Sequence, residues 1–226
     1  MTNYAVSQDN SESNLTLLCG THHDATTRGW LGEDEIRGSN DEPFNQKQGH
    51  TTPWGTGLRG PVAETQVVLG TTVFSWPGEP FFPLIVDGVP IIVVGEQDGR
   101  PSLSAQFLDE MNQPALLILQ NEIILSTEGW DIASEGMAFI IRCELRKIFL
   151  DIDFSQPNVV HIARGRLLCN GVEILLSKKE AKINGANVGF GESHIVMPCG
   201  LLVGHNPGNV NAWMLVDNVP RYGDRT

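Results

Sequence analysis

Residues 159–176 read VVHIARGRLLCNGVEILL, and this stretch decides the fold class. Short apolar runs flank Asn170-Gly171, a dipeptide that readily takes the positive φ angles of a two-residue hairpin turn. The pattern predicts strands at Val159–Ile162, Leu167–Cys169 and Val172–Leu176. Arg164-Gly165-Arg166, between the first two strands, is interpreted as the solvated shoulder of a hairpin. The stretch therefore indicates antiparallel β structure.

The same texture extends in both directions along the chain. Helical periodicity is nearly absent, and turn dipeptides such as Asp87-Gly88, Asp98-Gly99 and Gln120-Asn121 recur. Further strands are predicted at Gln66–Leu69, Thr72–Phe74, Leu84–Val86, Ile91–Val94, Leu103–Phe107, Leu116–Leu119, Ile123–Leu125, Ala138–Arg142 and Ile148–Phe154. The fold class is therefore mainly β, with an antiparallel or layered domain.

Three segments say more about how these strands are used. Asp151–Phe154 alternates apolar and acidic residues, which predicts a strand with one wet face. Ile91–Val94 is apolar throughout, so burial on both faces is expected. Between Asn184 and Gly208, glycines separate short apolar pieces, a texture typical of a parallel stack of short strands. A β-helix-like arrangement is therefore one expectation for the end of the domain.

Composition limits the class of protein. The chain has 226 residues, 41% of them hydrophobic, and a net charge of −12, which argues against a protein that coats nucleic acid. Its four cysteines are too few for a disulfide framework. The sequence shows no run of about 18 or more apolar residues and no secretory signal at Met1–Tyr4. A cytoplasmic protein without a membrane partner is expected. Several basic residues lie close in sequence, and solubilising exposed strand faces is their favoured role: Arg142, Arg146, Lys147, Arg164 and Arg166.

One short segment carries the residue types of a metal site. Residues 14–23 read NLTLLCGTHH, in which Cys19 and His22 have the C-x-x-H spacing that lets a thiolate and an imidazole reach one tetrahedral metal. Two ligands make half of a zinc site, and no C-x-x-C or H-x-x-C pair precedes Cys19. The alternative reading of His22-His23 is a loop pair that hydrogen-bonds backbone.

The ordered pattern Asn, Leu, Leu, Cys, x, x, His, His resembles the second half of the HNH endonuclease motif. The resemblance implies a ββα unit in which Asn14 braces the catalytic loop, and Cys19 and His22 are one pair of structural-zinc ligands. It also implies that His23, at the start of the helix, binds a catalytic divalent metal, Mg or Zn. Such an ion would polarise a DNA phosphodiester and stabilise the leaving 3′ oxygen.

The front half of the motif is missing. The family's first His, the general base, should lie before Asn14, but residues 1–13 contain no histidine. Loss of a general base costs about a hundredfold to ten-thousandfold in rate. A start codon upstream of Met1 and a decayed gene are both expected explanations.

A longer resemblance covers Asp87–Leu176, which is similar to a β domain found downstream of HNH signatures in phage and bacterial proteins. It implies binding or assembly and no reaction. Arg164 and Arg166, flanking a glycine, could contact nucleic-acid phosphates from a turn. His161, His194 and His205 are too scattered to form one metal site, so satisfied strand or loop histidines are expected.

Four segments follow from these patterns. They are a partial ββα-metal segment at 1–45, with a short helix at Glu33–Arg37 that ends before Pro43, a linker at 46–61, a β-rich domain at 62–208 and a tail at 209–226. The first functional hypothesis is a truncated or degenerate HNH-type endonuclease, with DNA as partner if the nuclease unit is complete. The second is a non-enzymatic β-rich binding or assembly module, with a protein partner or an oligomer. The net acidity favours the second.

Overall fold

The computed structural model describes residues 11, 16, 18, 20–29, 31–42, 50–51, 56–126, 131–144, 147–178, 180–188 and 191–222. The chain divides into two compact units, residues 1–50 and 51–226. The division falls inside the predicted linker 46–61. No helix in the described ranges is long and apolar enough to cross a membrane.

The described part of the first unit contains two helices. Helix α1 spans Gly20–Thr27 and helix α2 spans Glu33–Asp41. The carboxylate of Glu35 accepts a hydrogen bond from the Gly32 backbone N–H at 2.9 Å, which satisfies a donor at the start of α2. Helix α2 begins where predicted and runs four residues further, to Asp41. The strands expected before Gly20 fall on residues that are mostly outside the described ranges.

The second unit is built from strands, which confirms the mainly β prediction. The strands are β1 (His50–Thr51), which straddles the division, β2 (Gln66–Leu69), β3 (Thr72–Ser75), β4 (Phe81–Val86), β5 (Val89–Gln97), β6 (Arg100–Leu108), β7 (Pro114–Leu119), β8 (Glu122–Ser126), β9 (Asp131–Glu135), β10 (Ala138–Glu144), β11 (Lys147–Asp153), β12 (Val159–Cys169), β13 (Val172–Leu176), β14 (Ala181–Ile183), β15 (Ala186–Val188), β16 (Ser193–Val196), β17 (Cys199–Val203) and β18 (Met214–Val216). A 3₁₀ turn, Val62–Glu64, precedes β2.

These strands form two sheets. Sheet A has the order β8-β7-β6-β5-β4-β17-β18, and sheet B has the order β15-β14-β13-β12-β11-β10-β9. In sheet B, β2 also pairs with β12, and β3 joins β2 to β16. Most sequence neighbours that pair do so antiparallel, whereas four pairs among the described strands are parallel: β12 with β2, β16 with β3, and β17 with both β4 and its sequence neighbour β18.

The hairpin turns follow the predicted dipeptides. Both residues of Asp87-Gly88, Asp98-Gly99, Gln120-Asn121 and Asn170-Gly171 have positive φ, as two-residue turns require. Each turn reverses the chain between sequence-adjacent strands, so β4–β8 and β9–β15 form two meanders.

The Arg164-Gly165-Arg166 prediction was wrong, because the triplet lies inside one strand and not at a hairpin shoulder. Strand β12 continues from Val159 to Cys169, with Gly165 paired to Leu150 on one side and Leu176 on the other. An irregularity at Ala163 bends the strand, since the register shifts between Asp151 and Ile152 of β11. Because β12 bends at Ala163, it includes both apolar pieces, Val159–Ile162 and Leu167–Cys169, with no turn between them.

Two predictions for the end of the chain also change. The piece 209–226, predicted as a tail, contains β18, which joins sheet A beside β17. The glycine-rich stretch 184–208 does not stack as coils of a β-helix: β16 pairs with β3 in sheet B and β17 with β4 in sheet A. Both of these strands are parallel to partners that are distant in sequence, whereas β15, in the same stretch, is antiparallel to β14.

The core lies between the sheets. Buried residues from both sheets, among them Phe107 and Ile118 of sheet A and Ile162 and Ile174 of sheet B, form one continuous cluster. Asp151–Phe154 alternates as predicted, with Ile152 and Phe154 buried. A second, smaller cluster of Ile85, Cys199 and Leu202 packs against Phe82 and Ala212.

Candidate functional site

The predicted metal-binding histidines lie in helix α1. His22 and His23 are exposed and occupy its first turn, while Asn14 and Cys19 lie outside the described residues. Hydroxyl groups one turn later, of Thr26 and Thr27, donate to the backbone carbonyls of His22 and His23, both at 2.9 Å. These bonds use the backbone carbonyls, so they do not occupy the imidazole rings of His22 and His23.

The positions of His22 and His23 on α1 bear on whether one ion could bind both rings. Adjacent residues on a helix do not face each other, so His22 and His23 point in different directions. The two rings are therefore poorly placed to bind a single ion together. Within the described ranges, no group of three or more His, Cys, Asp or Glu residues could hold a metal ion. This finding does not test a site that includes Cys19, because Cys19 is outside those ranges.

The two arginines predicted to contact nucleic acid are engaged with carboxylates. Arg164 Nε donates to Asp151 Oδ2 at 2.9 Å across β12 and β11. Arg166 contacts two acids, Glu173 Oε1 through Nε at 2.5 Å and Glu110 Oε1 through Nη1 at 2.6 Å. A phosphate would have to displace these partners, which favours the solubilising role.

Electrostatics agree with this geometry at Arg166. Burial alone lowers the pKa of its guanidinium, but the hydrogen bonds with Glu173 and Glu110 outweigh burial and raise that pKa above its ordinary value. Arg142 makes a similar pair with Asp131 at 3.0 Å between β10 and β9. We call the outward side of sheet B at these six residues the charged face: Asp131, Arg142, Asp151, Arg164, Arg166 and Glu173.

Three further histidines, His161, His194 and His205, take separate positions in the second unit. His161 Nε2 lies 3.3 Å from the Gly70 carbonyl oxygen, and His194 Nε2 lies 2.8 Å from Ser75 Oγ. His205 follows β17, and its backbone N–H donates to Asp87 Oδ1 at 2.9 Å. Cys169 and Cys199 are buried and outside disulfides, and burial raises the pKa of the Cys199 thiol to about 11.

A polar network that the sequence did not predict fastens one end of the two sheets. Arg221 Nη2 donates to Asp87 Oδ1 at 2.8 Å in the β4–β5 turn, and Nη1 donates to the Asn170 carbonyl at 3.3 Å in the β12–β13 turn. The Tyr222 backbone N–H donates to the Gly171 carbonyl at 2.8 Å. We call this set, Asp87, Asn170, Gly171, Arg221 and Tyr222, the clasp. It joins sheet A to sheet B.

Close approach makes Gly171 necessary in the clasp. Its φ is 77°, and a Cβ added there would lie 2.9 Å from Arg221 Cβ. The Tyr222 hydroxyl extends the network by donating to the Glu110 carbonyl at 2.8 Å. Burial raises the pKa of Asp87, while the hydrogen bonds from Arg221 and the His205 N–H lower it. The hydrogen bonds outweigh burial, so the pKa lies below its ordinary value.

The outward side of sheet A is different in character. Ile92, Leu103, Ile118 and Ile123 point into the core, so their alternate neighbours point outward. Strand register places these neighbours in two rows, with Gln106, Leu117 and Ile124 in one, and Val93, Ser104, Leu119 and Glu122 in the other. We call these seven residues the apolar face.

The two neutral polar side chains of the apolar face are already hydrogen-bonded. Gln106 Nε2 donates to the Pro90 carbonyl at 3.0 Å, and Ser104 Oγ accepts from the Gln120 N–H at 3.3 Å. Leu119 keeps 50% of its surface exposed. A shallow depression of about 230 Å³ lies between Pro90, Ile91, Val93, Leu117 and Leu119. The face therefore offers apolar contact area with few unmet hydrogen bonds.

Comparison with known proteins gives no relative. No protein-family model matches this chain, and no curated protein or solved structure matches it. The site must therefore be judged from its own chemistry. Among the described residues of the second unit, no three or more His, Cys, Asp or Glu side chains form a group that could hold a metal ion. What the second unit does present is a surface for contact.

Part of this surface was visible in the sequence. Ile91–Val94 was expected to be buried on both faces, and the structure leaves Val93, which points outward, only half-buried. Leu116–Leu119 is equally apolar, and its outward residues Leu117 and Leu119 complete the face. Both runs lack the alternation of a strand with one wet face, and their strands, β5 and β7, lie on either side of β6. The clasp had no such signal, because its partners Asp87 and Arg221 are 134 positions apart.

Proposed function

We propose that the second unit is a non-enzymatic binding and assembly module that acts through the apolar face of sheet A. One observation carries the proposal: an antiparallel sheet whose far side is already packed on the core keeps a second apolar side turned outward. Such sheets usually alternate, with a polar outer side. Contiguous exposed apolar patches commonly mark interaction sites.

The test asks whether this face meets another protein in the cell. A photo-activated cross-linker, p-benzoylphenylalanine, is incorporated at position 119 in cells that naturally make the protein. Position 196 serves as the matched control, since Val196 is 53% exposed and Leu119 is 50% exposed. Val196 lies on β16 of sheet B.

We expect a discrete adduct from position 119 and none from position 196. Equal labelling from both positions would mean non-specific contact, and the absence of any adduct from 119 would contradict a binding role for the apolar face.

A second candidate is the HNH-type endonuclease, for which the first unit would be the relevant part. It is favoured by one observation: His22 and His23 lie in the first turn of α1, where the resemblance expects the last His of the motif. In this proposal His23 holds a divalent metal that polarises a DNA phosphodiester, Asn14 braces the loop, and Cys19 and His22 share a structural zinc. The general base would come from outside residues 1–13, which lack histidine.

Metal content and DNA nicking test this candidate separately. Stoichiometric zinc in the purified full chain that is lost on Cys19→Ala would support the knuckle, and a zinc-free protein would sink it. Nicking of plasmid DNA that requires added Mg²⁺ and is lost on His23→Ala would support the nuclease. His205→Ala is the matched control, because His205 is an exposed histidine of the second unit.

A further inference from the structure

A pocket lies at one end of sheet A, beyond the carboxyl ends of three parallel strands. Strands β4, β17 and β18 run side by side in one direction and end at Val86, Val203 and Val216. The segments that follow the last two strands, 204–206 and 217–221, supply most of the lining of a pocket of about 410 Å³. This volume falls within the range of about 300–1,000 Å³ for small-molecule sites. Loops that leave parallel strands meet at the carboxyl ends, where open α/β sheets bind their ligands.

One wall of this pocket is a loop that the protein itself holds in shape. The side chain of Asn206 spans the loop, because its Nδ2 donates to the Val210 carbonyl at 3.0 Å and its Oδ1 accepts from the Val210 N–H at 2.9 Å. Pro207 packs against the β4–β5 turn, where a Cβ added to Gly88 would lie 2.6 Å from Pro207 Cγ. The wall is therefore formed before any ligand arrives, which lowers the entropy cost of binding.

Three polar side chains with unused hydrogen-bonding groups line the pocket. Arg221 donates through Nη1 to the Asn170 carbonyl at 3.3 Å and through Nη2 to Asp87 Oδ1 at 2.8 Å. A guanidinium has more N–H donors than these bonds use. Asp217 and Asn218 are exposed, and neither side chain makes a hydrogen bond or ion pair with another described residue. The pocket therefore offers donors from Arg221, acceptors from Asp217 and both kinds of group from Asn218.

The charges around the pocket favour a neutral ligand. Arg221 is balanced by Asp87, so Asp217 has the one unpaired charge among the described Asp, Glu, Lys and Arg side chains that line it. A carboxylate or phosphate would be repelled by Asp217 and would have to displace Asp87 from Arg221. An ammonium ion would pair with Asp217 but leave the Arg221 donors unused. A hydroxyl group both donates and accepts, so neighbouring hydroxyls of a neutral ligand can bond to Asp217, Asn218 and Arg221 together.

Two aliphatic side chains complete the lining. Leu215 is 51% exposed, Val219 is half-buried, and both line the pocket. A sugar ring carries hydroxyls at its edge and C–H groups on its faces, so aliphatic side chains can cover the faces while polar groups bind the edge. We propose that this pocket binds a neutral sugar, with Asp217, Asn218 and Arg221 bonded to its hydroxyls. The pocket shares no residue with the apolar face, so this inference goes beyond the proposed binding function and does not depend on it.

The test uses the full chain and sugars matched to charged relatives. Glucose, galactose and mannose are titrated against the protein, each beside its own uronate, and ethylammonium serves as a simple cation. Amide NMR spectra report binding and its place. We expect at least one neutral sugar to bind at millimolar concentrations, to shift the amide signals of 204–206 and 217–221, and to bind several-fold more tightly than its uronate. Failure of all three neutral sugars to bind, or tighter binding of the uronates or of ethylammonium, would overturn the inference.

Variants locate the sugar within the pocket. Asp217→Asn replaces a charged acceptor with a neutral one, Asn218→Gly removes an amide, and each should weaken binding about fivefold. Glycine tolerates the φ of 50° at position 218, so the second variant keeps the backbone unstrained. Asp98→Asn is the matched control, because it removes the same charge from an exposed turn at the other end of sheet A, and it should bind like wild type. Sugar binding that neither pocket substitution weakens would contradict the assignment.

Discussion

The outward sides of the two sheets are built on opposite plans. On sheet B, the charged face satisfies itself: Arg164 pairs with Asp151, and Arg166 with Glu173 and Glu110. On sheet A, Val93, Leu117 and Leu119 point outward, and their polar neighbours Ser104 and Gln106 are already hydrogen-bonded within the sheet. The same antiparallel architecture thus gives one side that needs nothing further and one side that gains by contact. The difference separates residues that stabilise the fold from residues available for binding.

The largest expected effect tests the two sides of a single strand, β7. Ile118 is fully buried and Leu119 is half exposed, although they are adjacent. Ile118→Ala should lower the free energy of unfolding by about 3 kcal/mol, through lost burial and the cavity left behind. Leu119→Ala should change it by no more than about 0.5 kcal/mol, as is usual at the surface. Urea unfolding of both variants measures this, and a large loss at Leu119 would mean that the apolar face belongs to the fold.

The clasp should come next in size, because it supports both sheets. Arg221→Ala leaves Asp87, whose side chain is 14% exposed, without its cation. We expect a loss of about 2 kcal/mol in the free energy of unfolding. Hydrogen exchange should then speed up in β4–β5 and in β12–β13 alike. Exposed Lys178→Ala is the control, and faster exchange confined to one sheet would contradict the joining role.

On the charged face, the expected effect depends on how buried each carboxylate is. Arg166→Ala strands Glu173, which is 20% exposed, and should cost about 1 kcal/mol. Arg142→Ala strands Asp131, which is 70% exposed, and should cost no more than about 0.5 kcal/mol. Thermal or urea unfolding of the two variants gives the comparison. Equal losses of stability in the two variants would mean that the burial of the carboxylate does not determine how much each ion pair contributes.

The smallest expected effect is a dependence on pH. The folded state lowers the pKa of Asp87, so its ionised form contributes stability above the unfolded pKa, and this contribution is lost as the pH falls through the folded pKa. The stability gap between wild type and Asp87→Asn should be full at neutral pH and should narrow below about pH 4. Urea unfolding from pH 7 to pH 3 follows this gap. A gap that stays constant would show that Asp87 does not titrate against folding.

Local patterns carried most of the fold. Gln66–Leu69 and Val172–Leu176 have the predicted bounds, because alternation and Asn-Gly or Asp-Gly turns act over a few residues. Arg164-Gly165-Arg166 misled the interpretation, since a glycine between two cations has the composition of a turn. Gly165 is held inside the strand by pairing with Leu150 and Leu176, and both of these lie outside the short stretch of sequence around the triplet. Polar, weakly patterned strands such as β9 and β15 gave no periodic signal.

The candidate sites divide along the same line. The apolar run Ile91–Val94 predicted burial on both faces, and Ile91, Ile92 and Val94 are buried, whereas Val93 is half-buried. The clasp was not predicted, because Arg221 and Asp87 look like any exposed charges until the two sheets close. His22 and His23 stay a prediction as metal ligands. Their pattern is local, but it depends on Cys19, which lies outside the described residues.

The parallel pairs of this unit have a consequence for how fast it can fold. The β4–β8 and β9–β15 meanders are made of sequence neighbours and need only short loops to close. Three parallel pairs, β2 with β12, β3 with β16 and β4 with β17, join strands about 90 to 120 residues apart. Contacts this distant in sequence slow folding toward the range of milliseconds to seconds. We therefore expect the β2–β3 hairpin and strand β17 to pair late in folding. Until they pair, the core side of each meander stays exposed to water.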